Sequence, residues 1–212
     1  MRYEITGWLR LYLVLDPDAT TGSPVDVADR ALGAGVTCLQ LRWKTATDRE
    51  FFALAVELSS RCSLLNVPFI VNDRIDIALA AGANGVHLSV DDMPVGSAVD
   101  IGGPDFVVGY SPETDDQVVK AERLGATYLG IGPFAATTTK SDAGLPLGAV
   151  EFQRRRSLTN LPVVAIGGLM PNNVQEALGA GANGVAVASA ISRNPDPGSA
   201  TQQILNAILA SS

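Results

Sequence analysis

The stretch Ala81-Gly82-Ala83-Asn84-Gly85-Val86 recurs unchanged as Ala180-Gly181-Ala182-Asn183-Gly184-Val185. In both places a helical apolar pattern ends at a glycine, and a short apolar run begins at once. Less similar versions of this pattern, in which a glycine separates a helical pattern from the next apolar run, occur at residues 33–36 and 124–127. Glycine often follows a helix because it adopts the left-handed backbone conformation without strain. The repetition predicts a chain assembled from successive βα units.

The apolar runs are short and continuous, which is typical of parallel strands buried on both faces. The predicted strands are residues 11–15, 36–42, 68–71, 85–88, 106–110, 127–131, 162–166 and 184–187. The predicted helices are residues 25–32, 47–65, 75–80, 94–99, 115–124, 147–158, 171–178 and 197–209. Eight strands alternating with eight helices, with no Pro- or Ser-rich linker, predict a single (β/α)8 TIM barrel domain over residues 1–212. The alternative is an open doubly wound sheet with fewer than eight strands.

Composition limits the partners of the chain. Its 212 residues are 47% hydrophobic and carry a formal net charge of −7, which disfavours general electrostatic binding of nucleic acid. We expect no membrane partner, because no run of about 18 apolar residues occurs and the first residues do not resemble a signal peptide. Cys38 and Cys62 fall in apolar patterns and are interpreted as reduced core thiols of a cytoplasmic protein. The sequence does not indicate an oligomeric state.

Basic side chains follow two of the predicted strands. Arg42 and Lys44 come after the second strand, and Lys140 ends the loop after the sixth. The two-residue period of a strand directs Gln40 and Arg42 into the barrel and Leu41 toward the helices. An inward arginine needs an anionic partner, which is either a ligand or a barrel aspartate.

Carboxylates follow the third and fourth predicted strands. Asp73 and Asp92 are interpreted either as helix caps or as ligands of Mg²⁺, which typically binds one or two carboxylates plus substrate phosphate oxygens and waters. His87 is the only histidine and is interpreted as structural, so a zinc site is not predicted. No Ser-His-Asp set or Cys–His pair indicates a covalent nucleophile.

Small and hydroxyl-bearing residues follow the later strands. Thr137, Thr138 and Thr139 lie in the loop after the sixth strand, and Gly168 follows the seventh. Ala188 and Ser189 follow the eighth, where Ser189 would open a short helix. Barrels commonly bind phosphate after strands seven and eight. Cations with a metal suggest a diphosphate ligand, and this second group of residues suggests a separate monophosphate.

Together these motifs resemble the thiamine-phosphate synthase family in order and approximate spacing. The matching pieces are Gln40-x-Arg42-x-Lys44, Val71-Asn72-Asp73, Val86-His87-Leu88 with Asp92, Gly109 with Ser111, Gly132-Pro133, Thr137-x-Thr139-Lys140, Ile166-Gly167-Gly168 and Ser189-Ala190-Ile191. The resemblance implies a transferase that condenses a pyrimidine diphosphate with a thiazole phosphate. Pyrophosphate would leave in a dissociative, Mg²⁺-dependent step.

The resemblance also implies a role for each matching residue. The catalytic group would be Arg42, Lys44, Ser111 and Lys140. The pyrimidine diphosphate would be held by Gln40, Leu41, Arg42, Trp43, Lys44, Asn72, Ser111 and Lys140. Mg²⁺ would be bound by Asp73 and Asp92. The thiazole phosphate would be held by Thr137, Thr138, Thr139, Gly168, Ala188 and Ser189.

Some loop positions depart from the family pattern. They are Trp43, Val90, Pro112-Glu113, Ala135 and Ala136. Three alternatives therefore stay open: an isomerase resembling thiazole tautomerase, another phosphate-binding barrel such as a sugar-phosphate epimerase or a tryptophan-pathway enzyme, and a non-catalytic sensor of a phosphorylated ligand. The tautomerases generally lack the Asn-Asp and Thr-x-Thr-Lys pieces, and the other barrels need acid/base carboxylates or metal-binding histidines that the sequence does not show.

Overall fold

The structure is a computed structural model that describes residues 2–137 and 144–210. Its strands are β1 (Leu11–Leu15), β2 (Cys38–Leu41), β3 (Phe69–Asn72), β4 (Gly85–Leu88), β5 (Val107–Tyr110), β6 (Tyr128–Ile131), β7 (Val163–Ile166) and β8 (Gly184–Val187). Each strand pairs in parallel with the next, and β8 pairs with β1, so the sheet closes on itself. The predicted (β/α)8 barrel is confirmed, and the open sheet is excluded.

Helices surround this barrel. They are α1 (Arg2–Trp8), α2 (Pro24–Gly33), α3 (Asp48–Leu64), α4 (Ile75–Ala80), α5 (Val95–Gly102), α6 (Asp115–Ala121), α7 (Gly148–Arg156), α8 (Val174–Gly179), α9 (Ser189–Ser192) and α10 (Pro197–Leu209). The short helix expected at Ser189 is present as α9, whereas the helix predicted at 115–124 ends at Ala121. Among the described residues, no helix combines the length and the apolar character needed to cross a bilayer.

Helix α1 was not predicted. It has only seven residues, and isolated helices of that length are unstable in water, so local sequence signals are weak. Its stability comes from packing, because Ile5 within the helix and Leu9 directly after it are buried against inward-facing barrel side chains. The approach is close, since a β-carbon on Gly184 would lie 1.8 Å from the carbonyl oxygen of Leu9. Helix α1 therefore covers the end of the barrel at which the strands begin.

Strand residues alternate between two cores. Leu39 and Leu41 pack in the outer core between the strands and the helices, as the two-residue period predicts. Cys38 lies in the smaller inner core with Tyr12 and Tyr128. Gln40 is also buried and donates a hydrogen bond to the Tyr12 hydroxyl, so it points inward as expected.

The repeated hexapeptide joins neighbouring strands at the start of the barrel. The side chain of Asn84 accepts a hydrogen bond from the N–H of Phe69 at 2.9 Å, and the N–H of Asn84 donates to the Phe69 carbonyl at 2.8 Å. Asn183 makes the same two bonds to Val163, at 2.9 and 2.8 Å. We call each such pair of bonds a strand clamp. Each clamp extends a parallel strand pair by one residue beyond its sheet hydrogen bonds.

Threonine takes the place of asparagine at the two less similar repeats, as Thr127 in the second and as Thr37 directly after the first. Thr37 Oγ1 accepts from the N–H of Leu11 at 2.9 Å, and Thr127 Oγ1 accepts from the N–H of Val108 at 3.1 Å. Both threonine N–H groups donate back to the carbonyls of the same residues. Clamps therefore precede all four even-numbered strands, which explains the sequence repetition in structural terms.

Replacing Asn183 by alanine tests the strand clamp. The variant leaves the N–H of the buried residue Val163 without its side-chain acceptor, so we expect Asn183→Ala to lower the free energy of unfolding by about 1 kcal/mol. Urea titration measures the change. Asn160→Ala, at an exposed position outside the clamps, is the matched control and should change stability much less. Equal losses in the two variants would contradict the assignment.

Candidate active site

Two neighbouring cavities open where the strands end. The larger has a volume of about 1000 Å³, and the smaller about 290 Å³. The larger cavity is lined by these predicted site residues: Arg42, Ser111, Thr137, Gly168, Ala188 and Ser189. The smaller is lined by Trp43, Lys44, Asn72, Asp73 and Asp92. One mouth of the barrel thus gathers most of the predicted residues.

Two of the predicted residues that the structure describes line neither cavity. Gln40 lies inside the barrel, beneath the mouth, and the side chain of Leu41 is fully buried in the outer core. Thr138, Thr139 and Lys140 lie outside the described residues. For these last three the sequence-based prediction stands as it was made.

The partner of the inward arginine is an aspartate of the barrel. Arg42 Nη1 lies 2.5 Å from Asp16 Oδ2, and both side chains are largely buried. Asp16 directly follows β1 and also accepts a hydrogen bond from the N–H of Asp18 at 3.1 Å. It was missed as a site residue, although its place at a strand end was a usable signal. The guanidinium is therefore held at the wall of the larger cavity by one of its two terminal nitrogens.

The larger cavity also has a cation that was not predicted. Arg155, on α7, lines it and lies 3.1 Å from Glu151 Oε1, one turn earlier in the helix. Glu151 and Arg155 are four residues apart on one helix, which is the spacing of ordinary surface ion pairs. The sequence therefore did not indicate that Arg155 belongs to a site.

Two carboxylates meet in the smaller cavity. Asp73 and Asp92 lie near enough to shift each other's pKa, and Lys44 forms an ion pair with Asp73. Burial raises the pKa of Asp73, and the neighbouring Asp92 adds to this rise, whereas Lys44 opposes it. Burial also acts to raise the pKa of Asp92, but hydrogen bonds from the hydroxyl and N–H of Ser89 outweigh it and leave that pKa lowered. The pKa values of the two carboxyls therefore shift in opposite directions, as expected when one carboxyl lies beside another.

This carboxylate pair fits a divalent cation. A cation of that kind would offset the repulsion between two adjacent negative charges. Within residues 2–137 and 144–210, no group of three or more Asp, Glu, His or Cys side chains could hold a metal. A metal at Asp73 and Asp92 would complete its ligand shell from substrate oxygens and water, which is the usual arrangement for Mg²⁺.

Backbone groups after β6, β7 and β8 form the other side of the mouth. Gly167 and Gly168 have φ values of +92° and +68°, and the N–H of Ala135 donates to the Gly167 carbonyl at 3.0 Å. A β-carbon on Gly168 would lie 2.5 Å from the Ala136 carbonyl oxygen and 2.6 Å from that of Ala135. Only glycine therefore lets these two loops approach. Their exposed backbone and the first turn of α9 provide a surface suited to an anion.

Ser111 is tied to the only histidine. His87 Nε2 lies 2.8 Å from Ser111 Oγ, and Nδ1 lies 2.9 Å from the Tyr128 hydroxyl. Burial lowers the pKa of His87 to about 4, against a smaller opposing effect of Asp92. The imidazole is therefore neutral near pH 7. The interpretation of His87 as structural did not foresee this contact, for which the two-residue period of β4 was a usable signal.

Comparisons with known proteins point in one direction. A family model described as thiamine monophosphate synthase matches residues 11–191. The chain is 44% identical to the thiamine-phosphate synthase of Albidiferax ferrireducens, covering 89% of this chain and 87% of that protein. It is 42% identical to the same enzyme of Herpetosiphon aurantiacus, with 92% and 95% covered. The solved structure of thiamine phosphate pyrophosphorylase from Pyrococcus furiosus matches with a TM-score of 0.89 and 32% identity, covering 98% of each chain.

The two loops that meet at Gly168 are tested by adding one methyl group. We expect Gly168→Ala to destabilise the protein more than Gly82→Ala, whose φ of +67° is the same but whose β-carbon would meet nothing closer than 4.0 Å. Left-handed backbone strain of about 1–2 kcal/mol is common to both variants, so the excess measures the close contact. Urea unfolding gives both values. If both variants lose the same unfolding free energy, the loops at Gly168 can move apart without a cost in stability, and the prediction is wrong.

The buried imidazole makes stability depend on pH. An unfolded His87 has a pKa near 6.5, whereas the folded value is about 4, so the unfolded state binds more protons as the pH falls. The stabilisation is complete above pH 6.5 and is lost progressively toward pH 4. Between pH 7 and pH 5 we expect wild type to lose about 2 kcal/mol more than His87→Asn. Urea titrations at both pH values measure this difference. The prediction is contradicted if wild type and His87→Asn lose the same unfolding free energy between pH 7 and pH 5.

Proposed function

Because the chain belongs to the thiamine monophosphate synthase family and is a transferase, we propose that it condenses 4-amino-2-methyl-5-(diphosphooxymethyl)pyrimidine with a thiazole phosphate. The products are thiamine phosphate and pyrophosphate. One observation supports this reaction above the others. A carboxylate pair beside Lys44 and a glycine-rich anion surface at Gly168 lie at the same barrel mouth, as two differently phosphorylated substrates require.

The pyrimidine diphosphate is assigned to the side of the mouth that has cations. Arg42 and Lys44 lie there, and Lys140 is assigned by the family pattern. Breaking the bond to pyrophosphate moves negative charge onto the leaving group. Positive side chains that face this group stabilise the transition state more than the ground state. Asn72 and Ser111 line the same cavities and are assigned to orientation of this substrate.

Mg²⁺ is the proposed cofactor, with Asp73 and Asp92 as its protein ligands. When bound, it would neutralise charge on the diphosphate and so assist departure of pyrophosphate. Lys44 contacts Asp73 in the described structure, so the lysine and the metal would act on the same phosphate group. Ser89 holds Asp92 through two hydrogen bonds, of 2.6 Å from its N–H and 2.5 Å from its hydroxyl, which fixes one carboxylate in advance.

The thiazole phosphate is assigned to the opposite side of the mouth. Gly168, Ala188 and Ser189 offer backbone there, and Thr137 lines the same cavity. Holding the phosphate in this place would present the thiazole nitrogen to the pyrimidine methylene carbon. This nitrogen has a free electron pair, so the attack needs no strong base. For the attack itself, the role of the protein is to position the two substrates, which is a large source of rate enhancement when two molecules must meet.

A cytoplasmic location is also proposed. Cys38 and Cys62 are both buried and both free. Burial raises the pKa of Cys62 to about 12, so this thiol stays protonated and unreactive at neutral pH. Unpaired thiols of this kind are typical of reducing compartments.

Pyrophosphate release tests the reaction. We expect release only when both substrates and Mg²⁺ are present, with complete loss in EDTA. Asp92→Asn keeps an acceptor oxygen for Ser89 but removes the charge, so turnover should fall by about 10²–10³ while the melting temperature changes little.

Asp91→Asn is the matched control, because Asp91 is the exposed neighbour of Asp92. This variant should keep wild-type turnover and the wild-type Mg²⁺ requirement. Binding of both substrates without any release of pyrophosphate would favour a non-catalytic sensor. Release that persists in EDTA would remove the metal from the proposal.

A further inference from the structure

Five polar side chains form one chain of hydrogen bonds through the barrel interior. Gln40 Nε2 donates to the Tyr12 hydroxyl at 2.7 Å, and the Tyr12 and Tyr128 hydroxyls are 2.8 Å apart. Tyr128 then contacts His87 Nδ1 at 2.9 Å, and His87 Nε2 contacts Ser111 Oγ at 2.8 Å. The two tyrosines are each 1% exposed. We call this the interior chain; it starts inside the barrel at β2 and ends at the mouth after β5.

The sequence reserves space for the interior chain. A β-carbon on Gly109 would lie 2.3 Å from Cζ of Tyr128 and 2.5 Å from Nδ1 of His87. A β-carbon on Gly130 would lie 3.2 Å from Ser111 Oγ and 3.3 Å from Cε1 of His87. Neither glycine has the left-handed φ that would otherwise explain its presence. The two residues are glycine because the polar side chains occupy the volume beside them.

One direction of hydrogen bonding pairs the proton of each tyrosine within the interior chain. The amide nitrogen of Gln40 can only donate, so the Tyr12 oxygen accepts that bond. In this direction the single proton of Tyr12 goes to the Tyr128 oxygen. Tyr128 in turn gives its proton to Nδ1 of His87. A neutral imidazole with an accepting Nδ1 carries its proton on Nε2, which therefore donates to Ser111.

The groups stay in the protonation states that this direction needs. Burial raises the pKa of Tyr12 and of Tyr128 well above the usual value, so both phenols keep their protons. Burial likewise keeps the Cys38 thiol, which lies beside Tyr12, protonated. No member of the interior chain carries charge near pH 7.

We propose that Tyr12, Tyr128 and His87 are positioning residues that orient the Ser111 hydroxyl, so that it donates its hydrogen bond toward the larger cavity. Since Nε2–H of His87 occupies an acceptor site of the Ser111 oxygen, the serine proton points to the mouth. Ser111 lines the larger cavity, where that proton meets an acceptor atom of the pyrimidine diphosphate. The identity of this ligand rests on the proposed function, whereas the direction of the hydroxyl rests only on the interior chain.

The tautomer of His87 is the direct test. Because the chain has one histidine, nitrogen NMR of the full-length, substrate-free protein with labelled histidine gives a single imidazole. At pH 7 we expect a proton on Nε2 and none on Nδ1. A proton on Nδ1 would reverse the three hydrogen bonds that run from Tyr12 to Ser111 and overturn the proposal. No substrate is used, so this result stands even if the proposed reaction is wrong.

Kinetics then test the link to Ser111. We expect Tyr128→Phe to place a proton on Nδ1 of His87 in part of the molecules and to raise KM for the pyrimidine diphosphate about tenfold, with a smaller change in kcat. Tyr110→Phe removes a hydroxyl on neighbouring β5, outside the interior chain, and should change neither quantity. If Tyr128→Phe fails to fold, Tyr12→Phe is the second variant. It removes the hydroxyl that precedes Tyr128 in the interior chain, and it should likewise place a proton on Nδ1 of His87 in part of the molecules.

A double substitution separates positioning from a general loss of structure. In a Ser111→Ala background, Tyr128→Phe should leave KM unchanged, because its effect passes through the serine hydroxyl. A tenfold effect that persists without that hydroxyl would overturn the assignment. A correct tautomer together with no turnover in any variant would count against the proposed reaction and leave the direction of the serine hydroxyl supported.

Discussion

The interior of an eight-stranded barrel is narrow, and this limit on space governs the rest of the molecule. Inward positions on neighbouring strands compete for the same volume, so large side chains such as Tyr128 and His87 require glycine at Gly109 and Gly130. The large side chains chosen here are polar. Buried polar groups must be paired, because an unpaired one costs free energy of a few kcal/mol. The barrel therefore contains a connected series of hydrogen bonds that reaches the mouth, where it ends at Ser111.

Charge is used sparingly at that mouth. The chain is acidic. Two of the cations predicted at the mouth lie within the described residues, and each is paired with an aspartate: Arg42 with Asp16, and Lys44 with Asp73. The mouth is consequently close to neutral before substrate binds. A diphosphate would exchange these partners for its own oxygens, and a metal would compensate the carboxylates that are released. Pairing in advance also keeps the cations oriented, so less side-chain entropy is lost on binding.

The sequence was most informative where local pattern and global fold agree. The βα repetition predicted the closed barrel, and the strand period placed Gln40 inside and Leu41 outside. Helix α1 could not be predicted, because packing against the barrel, and not its own seven residues, stabilises it. The contacts of Arg42 with Asp16 and of His87 with Ser111 join residues on different strands, and their distances depend on how the strands are staggered. Periodicity within one segment carries no information about that stagger. The roles assigned to Thr138, Thr139 and Lys140 remain predictions from family resemblance.

The strand clamps also carry information about the origin of the barrel. The two asparagine clamps join β3 to β4 and β7 to β8, which lie four strands apart in a ring of eight. They are thus related by half a rotation about the barrel axis, with identical residues making identical bonds. A twofold pattern at the end of the barrel opposite the candidate site is consistent with descent from a duplicated half-barrel. In that history the residues at the mouth diverged, whereas those at the opposite end kept the original strand junction.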